Sequence, residues 1–143
     1  MNVRRVATAA GLLSLALASF AASAQETFRV RLTTVPIETA TRANVTGAGE
    51  ATATLDGRRL TLSGRFAGLK GPAVAARLHR GPVLGVRGPA VADVPVPAAT
   101  DGSFEAQVEL TRELVEALRE RRLYLQIDSE AAPDGNLWGW LLP

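Results

Sequence analysis

The chain has 143 residues, with 16 Lys and Arg against 14 Asp and Glu, a single histidine and no cysteine. The lack of cysteine excludes disulfides, Cys-type metal sites, c-type haem attachment and a lipoprotein anchor on cysteine. Two of the basic residues, Arg4 and Arg5, fall in an N-terminal leader, and the rest of the chain carries fourteen charges of each sign. No long-range field for nucleic acid or an anionic membrane is therefore expected.

The leader is the first element. Arg4 and Arg5 precede an apolar stretch from about Val6 to Phe20, and Ala22-Ser23-Ala24 follows. A charged start, a short apolar centre and a small-x-small site describe a signal peptide, removed after Ala24. The apolar stretch is shorter and weaker than the about 20 residues a membrane anchor needs. Residues 25–143 then form one domain, large enough to bury a core without staples. No stable membrane insertion is expected once the leader is removed. Export without disulfides favours a bacterial periplasmic or extracellular protein.

The next elements alternate with period two, as half-buried strands do. Phe28, Val30 and Leu32 oppose Arg29, Arg31 and Thr33 in "TFRVRLTTV". Residues 33–48 contain Pro36 and little pattern, and read as a loop with some strand. "EATATLDGRRLTLSGRF" is a hairpin turning at Asp56-Gly57, with Leu60, Leu62 and Phe66 sharing one face. "AVAARLHR" puts Val74, Ala76 and Leu78 on one face and Ala75, Arg77 and His79 on the other. "RGPVLGVRGP" reads as a mobile connection. Pro95 makes "AVADVPV" an edge strand.

"GSFEAQVEL" sends Phe104, Ala106, Val108 and Leu110 inward. "TRELVEALRERR" breaks the period. Thr111 is its N-cap, Glu113 lies in the first turn, and Arg119, Arg121 and Arg122 stand at the end. That charge order suits one short helix, with Leu114, Val115 and Leu118 as its stripe. "RLYLQID" sends Leu123, Leu125 and Ile127 inward, and "GNLWGWLLP" closes the chain. The sum is an all-β Greek-key sandwich or barrel of about seven or more strands with one short helix.

From about Gly47 to Leu142 the order of motifs resembles the CHRD domain, named for chordin. It runs through "GAGEATATLDGRRLTLSGRFAGLKG", "AARLHRGPVLGVRGP" and "DGSFEAQVELTRELVEAL" to "LYLQIDSEAAPDGNLWGWL". Residues 25–46 then read as an N-terminal strand and loop of the same domain. The resemblance implies a secreted all-β module, and in chordin the domain belongs to a protein that binds extracellular growth factors. The family usually has Ala-His-Ile-His-x-Gly where this chain has Ala76-Arg77-Leu78-His79-Arg80-Gly81. Ile127-Asp128-Ser129 stands where Ile-His-Thr is common, and Gly135-Asn136-Leu137-Trp138-Gly139 stands for Gly-Glu-Ile-Arg-Gly. The fold is expected to be immunoglobulin-like or superoxide-dismutase-like; the likeness to the latter is one of fold alone and carries no function.

These residues define what can be expected of a site. Arg77 and His79 share a strand face, but a guanidinium has no lone pair to give a metal. The single histidine leaves only a weak site with Asp128 or Asp134, against the three or four ligands a transition metal usually takes. Ser63, Ser103 and Ser129 lie outside any Gly-x-Ser-x-Gly, and the glycine-rich loop has no Gly-Lys-Ser/Thr. No cofactor is expected.

Asp128 shares the outer parity of Tyr124 and Gln126, so a surface ion pair with Arg77 is expected if their strands are neighbours, worth about 0.2–1 kcal/mol. Trp138 and Trp140 face out if Leu137 and Leu141 face in; the alternative is that the tryptophan side points inward or is covered by the N-terminal strand. The expected binding surface is Arg77, His79, Tyr124, Asp128, Trp138 and Trp140. The expected function is a non-catalytic binding or structural module whose partner is an envelope or extracellular protein or a glycan. The alternatives are a metal-handling protein or enzyme using His79 with Asp128, and self-association through the tryptophan face.

Overall fold

The computed structural model describes residues 24–143. The expected leader lies, apart from Ala24, outside the described residues. Eight strands form among the described residues: β1 Glu26–Thr34, β2 Ala48–Asp56, β3 Arg59–Ala67, β4 Ala73–Arg80, β5 Ala90–Val94, β6 Gly102–Glu109, β7 Leu123–Ser129 and β8 Leu137–Trp140. One helix, α1 Arg112–Arg119, lies between β6 and β7. The strands form one sheet in the order β5-β4-β7-β8-β1-β2-β3-β6, every pairing antiparallel. The edges β5 and β6 approach each other, so the sheet is a nearly closed barrel or sandwich.

Strands β4, β5 and β6 follow one another, while the chain from β3 crosses over to β4 and leaves β3 beside β6. That arrangement is a Greek key. Backbone N–H groups tie the two crossings together: Leu69 N–H donates to Thr100 O, Ala73 N–H to Ala99 O, and Gly68 N–H to the Asp101 side-chain carboxylate.

Strand parity sets the core. Phe28, Val30, Leu32, Leu60, Leu62, Phe66, Leu123, Leu125 and Ile127 are all buried, as the alternation predicts. Phe104 and Leu110 are buried, and Ala106 and Val108 pack against the same core. The strand ending before Pro95 is an edge, as the missing N–H requires.

Two details differ from expectation. Val74 is 56% exposed, because the β4–β7 register shifts between Ala73 and Ala75 and Ala73 takes the buried place. A bulge of one residue reverses the faces before it. The β2–β3 turn is centred on Gly57-Arg58, not Asp56-Gly57: Asp56 pairs with Arg59, and only Gly57 has positive φ, at 62°. Glycine first and a negative φ second is the type II′ pattern.

The helix closes one end of the core. Thr111 accepts from Leu114 N–H as its N-cap, and Val115, Ala117 and Leu118 are buried, with Leu114 half-buried beside them. At the other end Arg122 N–H bonds to Ala117 O and Arg121 N–H to Leu118 O, with Arg121 at φ 62°. This is a Schellman turn with arginine where glycine is usual. Arg119 grips Glu26 of β1 through two guanidinium nitrogens and fixes the helix to the first strand. Among the described residues no helix is long and apolar enough to cross a membrane.

Candidate functional site

The expected surface residues come together on the outside of β4, β7 and β8. The register pairs His79 with Tyr124 and Tyr124 with Trp140 in one row, and Arg77 with Gln126 and Gln126 with Trp138 in the next. The rings touch: His79 stacks on Tyr124 at 4.9 Å, Tyr124 lies 4.6 Å from Trp140 and 5.7 Å from Trp138, and the indoles meet edge to face at 5.9 Å. Stacked and T-shaped pairs of this kind each add about 0.5–1.5 kcal/mol beyond the area they bury.

Parity does not make these residues surface residues. Every position of β7 is buried, Tyr124, Gln126 and Asp128 included. The cover is the β4–β5 loop, residues 81–89, together with the indoles and the turn at Gly135, where a Cβ would lie 3.1 Å from the Gln126 amide nitrogen. Gly88 N–H donates to the Tyr124 hydroxyl at 3.0 Å, and that hydroxyl donates to Gly88 O at 3.1 Å. His79 Nδ1 donates to the same carbonyl at 2.9 Å, while Nε2 is buried with no hydrogen-bond partner among the described residues. A Cβ on Gly88 would lie 1.8 Å from Arg80 O, so only glycine lets the loop return this close to β4. The expected mobile connection is thus fastened at its base; Val83, Leu84 and Val86 at its tip are exposed.

Arg77 and Asp128 do pair, at 3.1 Å, but Asp128 is only 6% exposed. The surface ion pair of the sequence reading is therefore a half-buried one. The other Asp128 oxygen accepts from Gln126 Nε2 at 2.8 Å, and Arg77 also reaches Asp93 on β5 at 3.3 Å. Arg77 thus clamps β5 to β7 across β4.

His79 and Asp128 do not converge. They lie on one face, but His79 is opposite Tyr124, four residues from Asp128 along β7, roughly 13 Å at strand rise. Each is committed to other partners. Among the described residues no three His, Cys, Asp or Glu side chains gather.

Trp138 and Trp140 are half-buried, and Trp138 packs against a small apolar cluster of Val35, Val45 and Ala132. Leu137 and Leu141 on either side are fully buried. A Cβ on Gly139 would lie 2.5 Å from Arg31 O and 2.6 Å from Val30 Cγ1. Glycine there lets β8 press onto β1, with Thr33 opposite Trp138 and Leu142 opposite Arg29. The same register sets Arg31 opposite Trp140. Arg29, Arg31, Thr33, Trp138, Trp140, Leu142 and Pro143 line a depression of about 300 Å³ there. On the other side the Arg87 guanidinium sits 5.8 Å over the Trp138 ring and donates to Asp134 O.

Sequence reasoning missed Arg29, Arg31, Arg87 and Gly88 as parts of this surface. The alternation marked Arg29 and Arg31 as outward, but nothing in it told that β1 and β8 are neighbours. Among curated proteins and among solved structures, none matches the chain significantly. The model of the CHRD domain matches residues 28–141, from β1 to the end of β8, and the chain belongs to the CHRD family.

Proposed function

We propose that the protein is exported and works as a non-catalytic binding or structural module of the cell envelope or extracellular space, with an envelope protein or a glycan as partner. The leader pattern of residues 1–24 and membership of a family whose domains are typically extracellular support export. The observation that carries the binding reading is the pair of half-buried indoles on the outside of the sheet. Each is braced by Tyr124 and by the other, Trp138 also rests on the small apolar cluster of Val35, Val45 and Ala132, and both stay partly exposed. Rigidly held, partly exposed Trp beside Arg is the composition of binding hot spots.

The test has two arms. Deleting residues 2–24 should leave the protein in the cytoplasm, whereas the full chain should be recovered from the periplasm or medium. Immobilised protein should retain an envelope component that the Trp138→Ala variant does not, with urea unfolding showing that the variant is folded. Equal retention by both refutes the binding surface.

A further inference from the structure

The two arginines beside the tryptophans belong to a larger feature. Arg29 and Arg31 also line a second depression, of about 870 Å³, with Glu50, Thr52, Ser63, Arg65 and Ser103. The two hollows meet at Arg29 and Arg31, which line both, so they make a trough across β8-β1-β2-β3-β6 with the two arginines standing between its halves. Five strands at about 4.8 Å spacing make it about 19 Å long. Its rows follow the register: Arg31 opposite Glu50, Glu50 opposite Arg65, Arg65 opposite Ser103, and, one row on, Arg29 opposite Thr52 and Thr52 opposite Ser63.

The charge along it is one-sided. Glu50 is the side-chain carboxylate among the residues lining the two hollows, and Arg65 takes it at 2.8 Å. Among the described residues neither Arg29 nor Arg31 has a carboxylate within ion-pair distance. Glu105 stands beyond Ser63 on the edge strand, at the far end. Arg29 and Arg31 therefore put unpaired positive charge in the trough, on a domain whose charges balance overall.

We propose that this trough binds an acidic polysaccharide, a chain of sugar rings bearing carboxylate or sulfate groups. The inference rests on the binding-module reading and names its ligand class. Three parts of the trough meet three parts of such a chain. The parts of the Trp138 and Trp140 side chains that line the hollow offer apolar surface to the C–H faces of sugar rings. The free guanidiniums of Arg29 and Arg31 offer paired donors that match a carboxylate or sulfate in two-point contact. The short hydroxyl side chains of Thr52, Ser63 and Ser103 leave room and offer hydrogen bonds to sugar hydroxyls. An open trough without a closed end fits the middle of a polymer better than a compact small molecule.

The experiment is calorimetric titration of the full chain with alginate and with heparin, which present carboxylate and sulfate respectively. Neutral dextran and poly-glutamate are the controls, and Trp emission is followed in parallel. Binding to at least one acidic polysaccharide is expected, with a shift in emission and weakening as salt rises. The Arg29→Gln/Arg31→Gln variant should lose at least tenfold in affinity at an unchanged urea midpoint, and Trp140→Ala should lose a similar factor. No binding to either acidic polysaccharide overturns the proposal, as does equal binding of poly-glutamate, which would mark plain polyanion attraction. Trp-dependent retention of an envelope component by the arginine variant as well as the wild type overturns it too, while leaving the binding-module reading in place.

Discussion

The Arg77–Asp128 pair makes a prediction with a defined asymmetry. Asp128 is nearly sealed from water, and its carboxylate has two donors, Arg77 and the neutral Gln126 amide. Replacing Arg77 by Ala strands that charge with one neutral donor. Removing one partner of a fully buried pair costs about 3–5 kcal/mol. Here the Arg77 side chain is 41% exposed, so water enters where the guanidinium was, and the expected loss is about 2–3 kcal/mol. Asp128→Ala leaves Arg77 with solvent and Asp93, and leaves the Gln126 amide short of one acceptor, for about 1–2 kcal/mol. In the double variant there is no carboxylate to strand, so its loss should fall below the sum of the singles by about 1–2 kcal/mol. The packing of the arginine stem is lost in both backgrounds and cancels from that difference. Urea unfolding of the four proteins, with slopes compared to confirm an unchanged unfolded state, measures it. Losses that add to within about 0.5 kcal/mol, or Asp128→Ala as the costlier single change, would refute the reasoning.

Tyr124→Phe removes two of the three hydrogen bonds that hold Gly88, leaving the one from His79, and should cost about 1–3 kcal/mol, with faster tryptic cleavage after Arg87; unchanged cleavage would show that the loop is fastened elsewhere. Arg121→Gly replaces a side chain held at φ 62° and should stabilise the fold by about 0.5–1 kcal/mol in urea unfolding. A loss would mean that the Arg121 side chain itself contributes. The hydrogen bond from Arg119 holds the Glu26 carboxyl below its ordinary range, outweighing the opposite effect of partial burial. A depressed carboxyl stabilises the folded state above its unfolded pKa, and that stability is lost as pH falls through the folded value. Glu26→Gln should therefore lower the melting temperature at pH 7, and the difference from wild type should shrink from about pH 4.5 downwards; a difference constant down to pH 2 contradicts this. Val74→Ser should change stability by less than about 0.5 kcal/mol, since the bulge puts Val74 in solvent; a loss of core size would restore it to the inner face.

What the sequence made legible was parity. Phe28, Val30 and Leu32, or Leu123, Leu125 and Ile127, could be assigned to the inside because strands alternate with period two and these runs are long enough to fix the phase. The phase failed at Val74, where Ala73-Val74-Ala75-Ala76 offers no polar contrast to reveal an inserted residue. The turn residue Gly57 was visible, but its place in the turn was not, because Asp-Gly and Gly-Arg centres differ by one step of register.

The candidate site was legible as residues and not as a place. Tyr124 and Asp128 have outward parity, but parity names a face and says nothing of what lies over it. The cover comes from a loop whose return depends on Gly88 meeting Tyr124, thirty-six positions away. The setting of the tryptophans has the same cause at longer range. Trp138 and Trp140 lie at the end of the chain, Arg29 and Arg31 at the start of the described strands, and only the pairing of β1 with β8 makes them neighbours. That pairing in turn needs Gly139, since any side chain there would strike β1. A glycine that looks like a spacer between two tryptophans is the residue that delivers both of them to the arginines.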